Sequence, residues 1–314
     1  MSGSAVADLR PQAVIRPEEL NRVPSQILDD AQIGTLSIGG EPSVRRLGFG
    51  AMRISGARNA EGIRDRNEAR ALVRRVVDRG VQFIDTANIY GYGESEEIIA
   101  EALHPYPDDV MIASKAGYRP GKILPGHNTL PPLGNPDHLR EECEKSLRRL
   151  RVDTIDLYQV HVPDPAFPWA DTVGTFVDLQ KEGKVRHIGV SNVRLDQLEL
   201  AQSLCPIVSV QNRYNAGDRE SQAILEVCEA QGIAFLPWAP ILTANSRVES
   251  VLDEIAKAHQ ATTQQVSLQW LLKRSPVMLP IPGTSSLAHA DQNIDGAWLD
   301  LKTEEFARID AAGG

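Results

Sequence analysis

Four polar side chains stand at or just beyond the ends of short apolar runs: Asp85 in FIDTANIYGYGESE (83–96), Tyr90 five residues on, Lys115 closing VMIASK (110–115) and His161 closing DLYQVH (156–161). A lysine in so apolar a run sits in a partly desolvated place, where an ammonium is costly unless it meets a carboxylate. Asp85 can supply that carboxylate. A tyrosine beside such a cation has its phenolate favoured, which makes a weak acid, with a pKa of about 10, a usable proton donor near neutrality. His161 adds a hydrogen bond to a substrate oxygen or shuttles a proton. Alone, Asp85 reads as a turn cap and Tyr90 as a half-buried aromatic; together the four make a carbonyl-polarising site.

The elements that must hold these groups recur along the chain. Apolar runs at 47–52, 81–87, 110–115, 156–161, 187–192, 207–212, 233–239 and 277–283 read as eight strands. Amphipathic stretches at 68–78, 94–103, 136–150, 171–181, 219–230, 249–259 and 266–273 read as helices between and after them. This alternation, with no Gly-rich dinucleotide fingerprint after the first run, predicts an α/β fold of the (β/α)8 TIM-barrel type rather than an open doubly wound sheet. Polar residues collect at the run ends: Asp85, Lys115, His161, Ser191 with Asn192, Gln211 with Asn212, and Trp238. Buried parallel strands are otherwise almost wholly apolar, so these ends mark the face where barrels keep their active sites. A hairpin, 35–38 and 43–47 around Gly39-Gly40, is expected before the first run, and extra helices near the C-terminus. Residues 1–33 read as an N-terminal extension and 34–314 as one barrel domain.

Composition narrows the partners. The 314 residues carry 33 Lys+Arg against 42 Asp+Glu, a net charge of −9, the wrong sign for binding phosphate backbones. Cys143, Cys205 and Cys228 form neither a metal knuckle nor an even disulfide set, and His161 has no second ligand at a metal-like spacing, so no metal is expected. The N-terminus shows no signal-peptide pattern, and no window approaches the length of a membrane span. A cytoplasmic protein, with the monomer favoured, is the expectation.

Asp85, Tyr90, Lys115 and His161 resemble the catalytic tetrad of the aldo-keto reductase family. Around them LGFGAM, DTANIYG, GKVRHIGVSN (183–192), QNRYN (211–215), LPWAPI (236–241) and IPGTSSLAHADQN (281–293) are similar to family motifs in family order. The resemblance implies a barrel that binds a nicotinamide cofactor without a Rossmann fold and passes hydride to an aldehyde or ketone, Tyr90 protonating the oxygen. It implies cofactor contacts from Gly50, Met52, Ser191, Asn192, Gln211, Trp238, Ile241, Gly283, Thr284, Ser285, His289, Gln292 and Asn293. Many NADPH-specific relatives have lysine where this chain has Gly283 and arginine where it has His289. The expectation is therefore NADPH with NADH also usable.

On the substrate side, Ile54, Tyr118, Phe167 and Trp169 are expected to line the pocket, with Lys122 and His127 on the long connection after the third run. The chain ends at AAGG soon after its last helical stretch, so an open pocket for a small-molecule carbonyl, including a bulky ketone, is expected. The same resemblance leaves a cofactor-binding partner subunit of the potassium-channel beta type as one alternative. A Schiff-base aldolase using Lys115 is another.

Overall fold

The computed structural model describes residues 26–40, 43–56, 65–121, 130–241 and 245–314. In them a short helix α1 (Asp30–Ile33) precedes an antiparallel pair, β1 (Thr35–Ser37) and β2 (Ser43–Arg45), the expected hairpin. The main sheet holds seven parallel strands in chain order: β3 (Phe49–Gly50), β4 (Phe83–Asp85), β5 (Met111–Ala116), β6 (Ile155–Val160), β7 (Val185–Ser191), β8 (Ile207–Gln211) and β9 (Ala234–Phe235). Between and after them run α2 (Arg66–Asp78), α3 (Glu94–Leu103), α4 (Pro136–Leu150), α5 (Trp169–Lys181), α6 (Leu195–Leu204), α7 (Gln222–Gln231), α8 (Ser246–Ala258), α9 (Thr263–Arg274), α10 (Leu287–Asp295) and α11 (Thr303–Gly313).

Local chemistry explains the boundaries. Asp65 starts α2 by accepting the N–H groups of Asn67 and Glu68, and Ala69, Leu72, Val73 and Val76 form its buried stripe. Pro136 occupies the first turn of α4, where its missing N–H costs nothing, and Asn135 caps that turn. Helix α6 was not singled out by sequence, because its pattern is weak: Leu198 and Ala201 are buried while Leu200 and Leu204 stay exposed.

The eighth run differs from expectation. Segment 277–282 lies between β9 and β3: Phe235 and Leu279 exchange N–H bonds with Val277 and Phe235 carbonyls on one side. On the other, the Gly48 and Gly50 N–H groups donate to Pro280 and Pro282 at 2.9 and 3.1 Å. Pro280 and Pro282 have no N–H to return, so the segment takes the eighth position without becoming a regular strand.

Inside the curled sheet Phe83, Met111, Ala113, Leu157, Ala234, Leu236 and Leu279 form an apolar plug, joined by Ile38 and Val44 from the hairpin region. A larger apolar layer fills the space between sheet and helices, and Leu28, from the described end of the N-terminal extension, belongs to it. Arg79, 2% exposed, donates to the Gln26 carbonyl at 2.7 Å and pairs with Asp291 and Asp295, tying α2 to α10. Among the described residues no helix is long and apolar enough to cross a membrane.

Candidate active site

Strand register brings the predicted groups to one end of the sheet. Gly50 pairs with Asp85, Lys115 with Gln159, and Ser191 with Gln211. His161 follows β6 directly, and Trp238 lies just beyond β9 and bridges Arg213. Because these polar residues fall at or within three residues of their strands' carboxyl ends, those ends present one ring of reactive side chains above the apolar plug.

Lys115 is 0% exposed and Asp85 2%. The ammonium donates to Asp85 Oδ2 at 2.7 Å and to the Thr86 carbonyl at 2.7 Å, and lies 3.5 Å from the Tyr90 hydroxyl. The other Asp85 oxygen accepts Gln211 Nε2 at 2.8 Å, with Gln159 Nε2 at 3.5 Å. The carboxylate thus meets its cation on one oxygen and an amide donor on the other. Burial pulls the Lys115 pKa down, but Asp85 and Tyr90 more than offset this, so it is raised above the ordinary lysine value. An ammonium held so firmly is a poor amine nucleophile, which argues against the Schiff-base reading.

Tyr90 departs from the expectation of a lowered pKa. Burial pushes its phenol up from the ordinary value, and the opposing pull of Lys115 does not cancel this, with Asp85 pushing further up. The proximity of the cation was legible; the dehydration of the phenol was not. His161 lies well below the ordinary histidine value because of burial and then Lys115, so it is neutral near pH 7. Its Nδ1 is buried without a partner among the described residues. Its ring meets Tyr118 edge-on at 4.6 Å and Tyr90 edge-on at 6.0 Å.

Of the predicted cofactor set, Asn192 has φ 56° and donates Nδ2 to the His161 carbonyl and to Ser191 Oγ, while its Oδ1 accepts the Trp238 indole N–H at 2.9 Å. Asn192 thus fixes the Trp238 ring, one face of which is covered by the Arg213 guanidinium at 5.6 Å. Gly50 and Gly283 approach so closely that a Cβ on Gly283 would stand 2.6 Å from the Gly50 carbonyl oxygen. The missing lysine at 283 is therefore built into the backbone packing. Thr284 Oγ1 accepts the Ser286 N–H, and Ser286, absent from the predicted set, caps α10 by accepting the His289 N–H. Ser285 and His289 are exposed, Gln292 is half-buried, and Asn293 is buried. Met52 is exposed and Ile241 half-buried.

The substrate-side predictions divide. Tyr118 and Phe167 are half-buried, Tyr118 directly against His161. Ile54 is buried in the apolar layer, and Trp169 donates its indole N–H to the Gln197 carbonyl of α6. These two are not brought into the ring. Lys122 and His127 lie outside the described residues. Sequence reasoning missed Gln159 and the Thr86 carbonyl; the glutamine's signal was a polar residue inside a buried run.

The strand ends of a parallel α/β ring thus carry a buried Lys–Asp pair, a tyrosine and a neutral histidine. The sequence profile of the Aldo/keto reductase family matches residues 46–313, and the chain belongs to that family. It is 40% identical over 290 residues to an uncharacterised oxidoreductase of Schizosaccharomyces pombe, covering 92% of this chain and 93% of that one. It is 36% identical over 277 residues to pyridoxine 4-dehydrogenase of Escherichia coli, covering 86% and 96%. A crystal structure of an aldo/keto reductase from Klebsiella pneumoniae in complex with NADP and acetate matches with TM-score 0.73 and 26% identity, covering 88% of this chain and 94% of that one.

Proposed function

We infer that this protein reduces an aldehyde or ketone to an alcohol, reversibly, with NADPH as preferred cofactor and NADH also used. The observation that carries this is the Asp85–Lys115–Tyr90 chain, which aims a buried cation at a phenol beside a neutral imidazole. The residues present suit a nicotinamide. Gln211, almost fully buried, has its amide N–H on Asp85 and its Oε1 unengaged among the described residues; Ser191 pairs with it across the β7–β8 ladder, and Asn192, next to Ser191, orients the Trp238 ring. Bound there, a reduced nicotinamide supplies the hydride that reduces the carbonyl carbon. Tyr90 donates its proton to the carbonyl oxygen, Lys115 stabilises the resulting phenolate, Asp85 keeps Lys115 charged, and His161 orients the oxygen. In the oxidative direction the tyrosinate takes the alcohol proton.

Gly50 and Met52 with Ile241, and Gly283, Thr284, Ser285, His289, Gln292 and Asn293 around the α10 N-terminus, hold the rest of the cofactor in this reading. Without a lysine at 283 or an arginine at 289, the discrimination for a 2'-phosphate is weak. The E. coli relative's name and the flat aromatic surfaces of Tyr118 and Trp238 support an aromatic aldehyde of the pyridoxal kind as the first substrate class to try, ahead of a bulky ketone. A cytoplasmic monomer with one barrel domain over 34–314 goes with this reading. The test is cofactor oxidation with pyridoxal, benzaldehyde and a bulky aryl ketone, NADPH and NADH in parallel. Turnover lost in Tyr90→Phe while cofactor still quenches protein fluorescence supports the assignment; a wild-type protein that binds neither cofactor overturns it.

A further inference from the structure

Behind the ring, on the helix side of the sheet, a second polar cluster has no part in the chemistry described. Glu96, the third residue of α3, is 0% exposed. Its Oε1 accepts the Ser114 hydroxyl at 2.5 Å and its Oε2 accepts Arg149 Nε, from α4, at 2.6 Å. Ser114 immediately precedes Lys115 on β5, and successive strand residues face opposite sides. The hydroxyl that meets Glu96 and the ammonium that meets Asp85 are thus carried on adjacent residues of one strand.

The other end of this connection is the turn that bears Tyr90. Gly91, Tyr92 and Gly93 have φ of 61°, 59° and 94°, three left-handed residues in succession. A side chain on Gly93 would overlap the Arg149 guanidinium. Ser95, next to Glu96, accepts the Thr86 hydroxyl at 2.8 Å and donates to the Ala51 carbonyl at 3.0 Å; the carbonyl of the same Thr86 receives the Lys115 ammonium. The turn is held by the Tyr90 and Tyr92 N–H groups on the Ala87 and Ile89 carbonyls and by the Tyr92 hydroxyl on the Gly121 carbonyl, bonds that fix its backbone and Tyr92 but do not engage the Tyr90 hydroxyl. The first turn of α3 backs it through Ser95 and Glu96.

We propose that Glu96 is a positioning residue for the proposed reduction: by holding the first turn of α3 to Ser114, it sets the separation between the Tyr90 hydroxyl and the Lys115 ammonium. This rests on the reductase reading for its kinetic consequence but not for its geometry. A buried carboxylate–guanidinium pair is often no more stabilising than an apolar pair of equal volume; what it gives here is register between the loop after β4 and strand β5. The charged and titratable groups facing Tyr90 are Lys115 from β5, Asp85 from β4, His161 after β6 and Tyr118 after β5. Loosening the turn removes Tyr90 from the first of these and leaves the phenol a weaker acid.

Two variants separate the clamp from simple loss of folding. Ser114→Ala removes the link to β5 and leaves the Glu96–Arg149 pair; Glu96→Gln keeps a hydrogen-bonding oxygen and removes the charge. Crystal structures of wild type and Ser114→Ala should show the phenol–ammonium separation lengthened from 3.5 Å. The tyrosinate limb of alcohol oxidation against pH should move up by about one unit in Ser114→Ala, with kcat for reduction down on the order of tenfold, and should stay near its wild-type place in Glu96→Gln, whose amide oxygen still accepts the Ser114 hydroxyl. NADPH affinity by fluorescence should stay within about twofold, since no group assigned to the cofactor moves. A purely structural role would scale the pH curve without displacing it, and an unchanged separation with an undisplaced curve overturns the proposal. If wild type turns over no carbonyl, the reductase reading fails and the separation alone decides the clamp.

Discussion

Replacing Lys115 by methionine removes one charge at nearly constant volume and tests the core of the proposed mechanism. Two unit charges 3.5 Å apart interact by about 5 kcal/mol at an effective dielectric of about 20. Tyr90 as a residue keeps partial solvent exposure although its phenolic end is buried, so roughly half of this, about 2–3 kcal/mol, is a fair figure, or close to two pKa units at about 1.4 kcal/mol each. Asp85 would remain beside the phenol and push the same way, since Gln211 and Gln159 still donate to it. The rising limb of alcohol oxidation with NADP+ should therefore shift upward by about two pH units, and aldehyde reduction at pH 7 should fall by about 10²-fold. Breaking the buried pair costs about 3–5 kcal/mol of stability, so circular dichroism must first show the variant folded at the assay temperature. Unimpaired reduction, or a limb that stays in place in the folded variant, would refute the idea that Lys115 acts on the acidity of Tyr90.

His161 predicts a pH dependence of stability. Its folded-state pKa is depressed, so below about pH 6.5 the unfolded chain takes up a proton that the native site refuses. Stability conferred by this group is full above about pH 6.5 and is lost as pH falls from there toward the depressed folded value, at about 1.4 kcal/mol per unit. Urea unfolding at pH 7 and 5.5 should show wild type losing more than His161→Gln; parallel losses would contradict it. For cofactor choice, His289→Arg should lower the KM for NADPH roughly tenfold and leave that for NADH unchanged, because it offers a charge-assisted bond on an exposed helix position. Gly283→Lys should instead lower the melting temperature and weaken both cofactors, since its Cβ meets the Gly50 carbonyl oxygen at 2.6 Å. Improved NADPH binding by a stable Gly283→Lys protein would show that the backbone there can yield.

Much of the site was legible because of strand periodicity. Asp85, Lys115, His161, Ser191 and Gln211 each interrupt or close a run that burial would otherwise keep apolar, and a polar residue there needs a reason. Helices with full apolar stripes, such as α2 and α4, were equally readable, whereas α6 buries too little to announce itself. The eighth run reads as a strand by composition, but a ladder needs donors and its two prolines have none.

What composition and spacing settled was which residue types stand at the strand ends, because a two-residue period and the cost of burying polar atoms act along the local chain. Pairings across long sequence separations belong to the folded ring alone. Gln211 finds Asp85 from 126 positions away, and Trp238 finds Asn192 from 46. The same holds for the close contact of Gly50 with Gly283, and for Glu96 beneath the Tyr90 turn. Tyr90 is the clearest instance: its neighbour Lys115 could be foreseen, but the direction of its acidity depends on how much water the packed site removes from the phenol, and only tertiary structure decides that.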